Sequence, residues 1–301
     1  MIKLCNVTSG YMGIYDPSLV TTGLNINKLS EFVSNFFVPS LFCLLVFYRK
    51  NQFMRNAIIL LVLMQILSSL YIGGRGSILV IIVCFLCIWH YYVKRLTVKT
   101  TAVLLVAGYF LISLLSVVAN QRGIAERDLL LYWTVLAESF GKNNLFMLTI
   151  AEMGGSMSPL VWVINLVPAR YDFLHGSSYF YAFSTLIPNL GFWDVHPGAL
   201  HANLGNWLMA VLGLNYGPGF SPVAEAYINF GWGGFFVLFF LGSFYGYVFS
   251  LIHRDTALKK PVLVCVIFIL LSLTLMTSRN SFISTVRAVF YYALPIYLFI
   301  Q

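Results

Sequence analysis

Seven apolar runs, at 32–48, 57–72, 78–93, 101–119, 223–250, 261–277 and 282–300, decide what this chain can become. Roughly 20 apolar residues in a helix cross the hydrocarbon core of a bilayer, and a helix satisfies its own backbone polar groups there. Several of the runs are short and would draw on their flanks to complete a crossing. With 59% hydrophobic and 9% charged residues and a mean hydropathy of +0.84, the chain lies far outside the soluble range. The expected fold is all-α, a polytopic integral membrane protein of about seven transmembrane helices.

A net charge of +8 raises nucleic acid as a partner, but the basic residues form no continuous face. Half of them occupy alternate short loops instead: Arg49, Lys50 and Arg55, then Lys94, Arg95 and Lys99, then Arg254, Lys259 and Lys260. Lys and Arg in every second loop give one orientation, with these loops and the C-terminus cytoplasmic and the 120–222 segment outside. The organisation expected is a polar outer segment over 1–31, four spans over 32–119, a large outer loop over 120–222 and three spans over 223–301. Residues 1–31 carry no signal that would export them, which suggests upstream spans missing from this chain. Cys43, Cys84, Cys87 and Cys265 lie in apolar runs and read as packed side chains, Cys84-Phe-Leu-Cys87 included; Cys5 stands apart near the start.

The outer segment is too long for a connector. It holds an amphipathic stretch at 124–150 and two apolar pieces, 157–168 and 204–214, too short to span and expected to be re-entrant or interfacial. Trp162, Trp193, Trp207 and the run Tyr179-Phe-Tyr-Ala-Phe183 suit the membrane boundary.

Charge near the membrane is costly unless it has a partner or a task. Arg75, Arg279, Arg287, Glu225, Arg170 and Glu152 all fall at the outer boundary, and Arg287 follows Phe-Ile-Ser-Thr-Val inside an apolar helix. Ser221, Glu225 and Asn229 are four apart and share one helix face, while Asn280, Ser284 and Arg287 form another stripe. The two faces could meet as an ion pair, Glu225 with Arg287 or Arg279. Alternatively the arginines bind a multiply charged anion, for which the guanidinium fork is suited. Gly231, Gly233 and Gly234 permit close packing, and Gly242-Ser-Phe-Tyr-Gly246 has helix-contact spacing. Asp194-Val-His-Pro-Gly-Ala-Leu-His201 contains metal-ligand types, but Pro197 and Gly198 break a helical register and no carboxylate cluster surrounds it, so no metal is expected. One of His175, His196 and His201 reads better as a general base or a sugar contact. The aromatic residues interleaved with Asn, Asp and His over 170–216 suit either sugar stacking or an interfacial belt.

Gly73-Gly-Arg-Gly-Ser77, Glu152-Met-Gly-Gly155, Val167-Pro-Ala-Arg-Tyr171, Gly176-Ser-Ser-Tyr179 and, above all, Gly219-Phe-Ser-Pro-Val-Ala-Glu-Ala-Tyr-Ile-Asn-Phe-Gly231 resemble the bacterial O-antigen polymerases, also called oligosaccharide repeat unit polymerases. The order of the motifs around one large loop fits over 70–300, although members of that family usually have more spans. The resemblance implies a GT-C-like glycosyltransferase of the bacterial inner membrane with its loop periplasmic. It would transfer a growing glycan from undecaprenyl pyrophosphate to an incoming lipid-linked repeat unit, without nucleotide or metal. Arg75, Arg279, Arg287 and Arg170 would hold the pyrophosphate, with Arg287 also stabilising the leaving group. Glu225 or Glu152 would accept the acceptor proton, unless Glu225 only orients an arginine. His175, Tyr179, Asn229 and His201 would face sugars. Implied partners are the lipid-linked oligosaccharide, a chain-length regulator protein, a flippase and membrane lipids. A flippase or other transporter is the competing class, but transporters usually place polar groups near the midplane of repeated halves, and this chain has neither feature. A ligase joining glycan to lipid A core would share the donor.

Overall fold

Helix N-termini follow local chemistry that hydropathy does not see. A computed structural model describes residues 36–72, 75–108, 154–187, 193–214, 217–252, 259–277, 279–294 and 298, without the Arg75 side chain. The described residues are helices and turns, with no strand among them. The amphipathic stretch 124–150, Glu152 and the 1–31 segment lie outside the described residues. The chain divides into two units, Met1–Met153 and Gly154–Gln301.

In the first unit, α1 (Phe37–Phe47), α2 (Gln52–Ile72) and α3 (Arg75–Ile88) pack on one another, and α4 follows at Val98–Gly108. Leu41, Phe42, Leu45, Ile58, Val62, Ile78 and Ile88 form their buried side. A π-helical turn, Trp89–Val93, extends α3. The Arg49 guanidinium sits 5.6 Å above the Tyr92 ring, which brings the first basic loop to the end of the unit where Lys94 and Arg95 begin the second. Arg55 belongs to the first turns of α2 rather than to a connector.

In the second unit, α5 (Ser158–Leu166) and α8 (Leu204–Leu212) correspond to the two short apolar pieces expected from the sequence. Between them lie α6 (Ser177–Ser184) and the short α7 (Pro197–His201). Pro197 starts α7 rather than breaking a helix, because the first helical position needs no amide hydrogen; the His196 ring caps it, Nδ1 accepting from Gly198 N–H at 3.1 Å. Asn203 caps α8 through Asn206 N–H at 3.3 Å. Val163, Leu166, Leu204, Leu208, Phe220, Ala224 and Ile228 join α5, α8 and α9 (Pro222–Phe230) in one core. A second cluster, Ala182, Ala202, Ile283 and Val286, joins α6, α7 and α12 (Phe282–Ala288).

The run at 223–250 is interrupted, contrary to the single helix expected. After α9 the chain makes a 3-10 turn at Gly231–Gly233 and then continues as α10, Gly234–Ser250. Gly231 has φ 59° and ψ −140°, a conformation open essentially to glycine alone. A Cβ on Gly234 would fall on the Ala226 carbonyl, so the interruption lets the two helices close on each other. Gly242 and Gly246 have no neighbour within 4 Å of a built Cβ among the described residues, so their spacing serves no contact here. Taken through the interruption, Pro222–Ser250 is one of two described segments long and apolar enough to cross a membrane; Gln52–Ser69 is the other. Shorter apolar helices, including α11 (Pro261–Thr277), fall on the remaining runs.

Candidate functional site

Ser221 is the N-cap of α9: its Oγ accepts from Ala224 N–H at 3.1 Å, and Pro222 takes the first helical position. This start fixes the phase of the helix, so Glu225 and Asn229 fall on its inner face, both 0% exposed. A buried carboxylate without partners would be untenable. Here Oε1 accepts from the Ser178 hydroxyl at 2.9 Å and Oε2 accepts from the Phe282 amide at 2.6 Å.

Asn229 completes the network. Its amide nitrogen donates to Ser178 Oγ at 2.8 Å and to the Glu225 carbonyl at 2.7 Å. Its Oδ1 accepts from Gly176 N–H at 2.9 Å, and its backbone carbonyl accepts from His175 N–H at 3.0 Å. The tight turn this clasps puts His175 at φ 49° and Gly176 at φ 88°, both left-handed. Ser178 is the functional-looking residue that sequence reading missed. Gly176-Ser-Ser-Tyr179 was the only signal for it.

The same helix start also holds the loop before α12. Gly219, at φ 75°, lets the chain approach so closely that a Cβ there would stand 3.0 Å from the Arg279 carbonyl. The next residue, Phe220, donates its N–H to that carbonyl at 3.1 Å. Two bonds therefore strap residues 279–282 to α9, one from Phe220 and one to Glu225. Ser281, the residue before α12, makes no side-chain cap, so Glu225 caps α12 in its place, from another helix.

The ion pair left open by the sequence is not the arrangement found: the Glu225 oxygens meet a hydroxyl and an amide rather than Arg279 or Arg287. Arg287 lies one turn and a half beyond Phe282, exposed, just before a π-helical turn at Val289–Ala293. With Asn280, Ser284 and Thr285 it forms the polar wall of a cavity of ≈ 360 Å³ between α10, α11 and α12. The lining from α10 and α11 is mostly apolar, Phe244, Val248, Leu270, Leu271 and Leu273, with Tyr245 and Thr274 the polar members. The stripe Asn280, Ser284, Arg287 thus has a common destination.

The other residues singled out are distributed more widely. Tyr179 stacks on Phe230 with ring centroids 6.3 Å apart at 7° and meets Phe282 edge-on at 5.2 Å. Burial, and then the Glu225 carboxylate, push its phenol above the usual range. His201 rests 4.5 Å from the Tyr181 ring, exposed at the end of α7. His175 and Arg170 are exposed on turns. Arg75 opens α3 in the first unit.

Comparison with known proteins gives one family. The sequence model described as O-antigen polysaccharide polymerase Wzy matches residues 3–301. No curated protein and no solved structure matches the chain.

Proposed function

The chain belongs to the O-antigen polysaccharide polymerase family, a membrane-protein family of polysaccharide biosynthesis, and from that premise we propose that it joins lipid-linked repeat units at the outer face of the bacterial inner membrane. The anomeric C–O bond between the growing glycan and undecaprenyl pyrophosphate breaks, and a new C–O bond forms to a hydroxyl of the incoming repeat unit. The hydroxyl proton passes to a base, and undecaprenyl pyrophosphate leaves. Arg279, Arg287, Arg75 and Arg170 neutralise the pyrophosphate, whose charge grows as the bond breaks. Proton acceptance falls to Glu152 or to an exposed histidine, His175 or His201. Seven spans with a cytoplasmic C-terminus and a periplasmic 120–222 loop complete the reading, with a flippase supplying substrate and a chain-length regulator acting on the product.

The observation that carries it is the strap from α9 to the loop before α12. Phe220 N–H on the Arg279 carbonyl and Glu225 on the Phe282 amide fix the segment that bears Arg279 and begins the helix of Arg287. Preorganised cations are what a departing pyrophosphate requires. Glu225 therefore acts as a positioning residue.

Deletion of the gene tests the reading through the surface polysaccharide. Loss of a polymerase leaves lipopolysaccharide core capped by one repeat unit. An uncapped core would assign the chain to transport or ligation instead.

A further inference from the structure

The helix α6 is inside out for a protein in water. Its inward face carries Ser178, fully buried, and Ala182, while its outward face carries Phe180 and Phe183, 75% and 53% exposed. Ile187, one turn after the helix, is exposed on the same course. Large aromatic side chains outward and a serine inward give the distribution favoured when the surrounding medium is less polar than the interior.

The surrounding layer has an apolar core but is poor in charge and exposes further apolar side chains. Between Gly154 and Ala224 the only formal charges are Arg170, Asp172 and Asp194, all on turns and none within α5–α8. Met157, Val161 and Ile164 at α5 and Leu200 of α7 are also exposed. Exposed apolar side chains in this number, on a layer with so little charge, mark an interface rather than a surface in water. The patch continues toward the span: Tyr179 stacks on Phe230, and beyond it come exposed Trp232 and the exposed phenylalanines 235, 236, 239 and 240 of α10.

We propose that the α5–α8 layer is not a water-borne loop but lies sunk in the outer leaflet, with Phe180, Phe183 and Ile187 of the α6 region against lipid acyl chains. Arg170, Asp172 and Asp194 mark its water side. The occupant is bilayer lipid because the patch adjoins the exposed phenylalanine face of a candidate span and because the layer carries so little charge. The proposal does not depend on the reaction proposed above.

Collision accessibility of nitroxide labels tests it without any activity readout. Single cysteines at Phe180, Phe183, Ile187, Asp172 and Asp194 are labelled in the full chain with its native cysteines changed to alanine. The protein is then reconstituted in phosphatidylethanolamine–phosphatidylglycerol vesicles. Labels at the first three positions should relax more with oxygen than with a water-soluble nickel chelate, and labels at the two aspartates should show the reverse. Nickel contact at Phe180 and Phe183 equal to that at Asp172 would overturn the proposal in favour of water. Poor access for both reagents would overturn it in favour of a covering protein or second copy. A Phe183→Trp variant, which conserves bulk, supplies the second measurement: brominated lipid should quench the added fluorescence, and an unquenched signal counts against lipid contact even if the labelled variants misfold.

Discussion

Glu225 can be read as a base or as a brace, and the two roles rank its substitutions in opposite order. Aspartate keeps the charge but is shorter by one bond, about 1.5 Å. From a fixed α9 backbone it cannot stay within reach of both Ser178 Oγ, at 2.9 Å, and Phe282 N–H, at 2.6 Å. Each bond to a charged group is worth roughly 1.5–3 kcal/mol. Losing one strands the buried Ser178 hydroxyl or the first amide of α12, and losing both costs about 3–6 kcal/mol, a large part of the roughly 5–15 kcal/mol that holds a typical protein folded. Glutamine keeps the length. Its oxygen accepts from Phe282 N–H and its nitrogen donates to Ser178 Oγ, so the loss is the charge assistance and the acceptor of the Ser178 hydroxyl hydrogen, about 1–3 kcal/mol.

A brace therefore predicts that Glu225→Gln retains long polysaccharide chains while Glu225→Asp loses them together with folded protein. The assays are lipopolysaccharide ladders at matched membrane levels and thermal melting of the purified protein in detergent. A general base predicts the reverse, since removing one costs about 100-fold to 10,000-fold in rate without unfolding anything. A glutamine variant that melts like the parent yet makes no ladder, beside an aspartate variant that makes one, would refute the positioning role.

The arginines give a second set of expectations. Arg279→Lys, Arg287→Lys and Arg75→Lys should leave folded protein in the membrane but shorten or abolish the ladder, each losing about 2–4 kcal/mol of transition-state stabilisation, on the order of a hundredfold in rate. Normal ladders from all three would remove them from the mechanism. Gly234→Ala should sharply lower the yield of folded protein, because its Cβ meets the Ala226 carbonyl, whereas Gly242→Ala, in open space, should be nearly silent; quantitative blotting compares them. For topology, cysteines at Asn51, Val98 and Ala257 should resist an impermeant reagent in spheroplasts while those at Asn143 and Gly191 react, and reversed labelling would move the proposed site to the other side.

What the sequence discloses and what it hides divide along a physical line. The shared face of Ser221, Glu225 and Asn229 follows from helical spacing, as does the stripe of Asn280, Ser284 and Arg287, and both meet buried or cavity surfaces in the structure. The partners of Glu225 do not follow, because one is a backbone amide, which every residue but proline carries, and the other is a serine 47 positions away. An arginine was the natural guess for a carboxylate, since charge is visible in sequence and an unfilled helix N-terminus is not. The break in 223–250 escaped for a related reason. Hydropathy averages over Gly231-Trp-Gly-Gly234, whereas the fold depends on the backbone angles those glycines permit.

That break has a mechanical consequence. A continuous span would pass every adjustment to bilayer thickness directly to its outer end, since tilting is how a helix answers hydrophobic mismatch. Here α9 is keyed into α5 and α8 through Ala224 and Ile228, while α10 begins beyond a glycine joint and turns its phenylalanines outward. Close packing of Gly234 on the Ala226 carbonyl sets the angle between α9 and α10, so that angle belongs to the glycines rather than to the thickness of the membrane. The brace on α12 takes its position from α9, and α9 from its packing with α5 and α8, so the segment that carries Arg279 is referred to the outer layer rather than to the span.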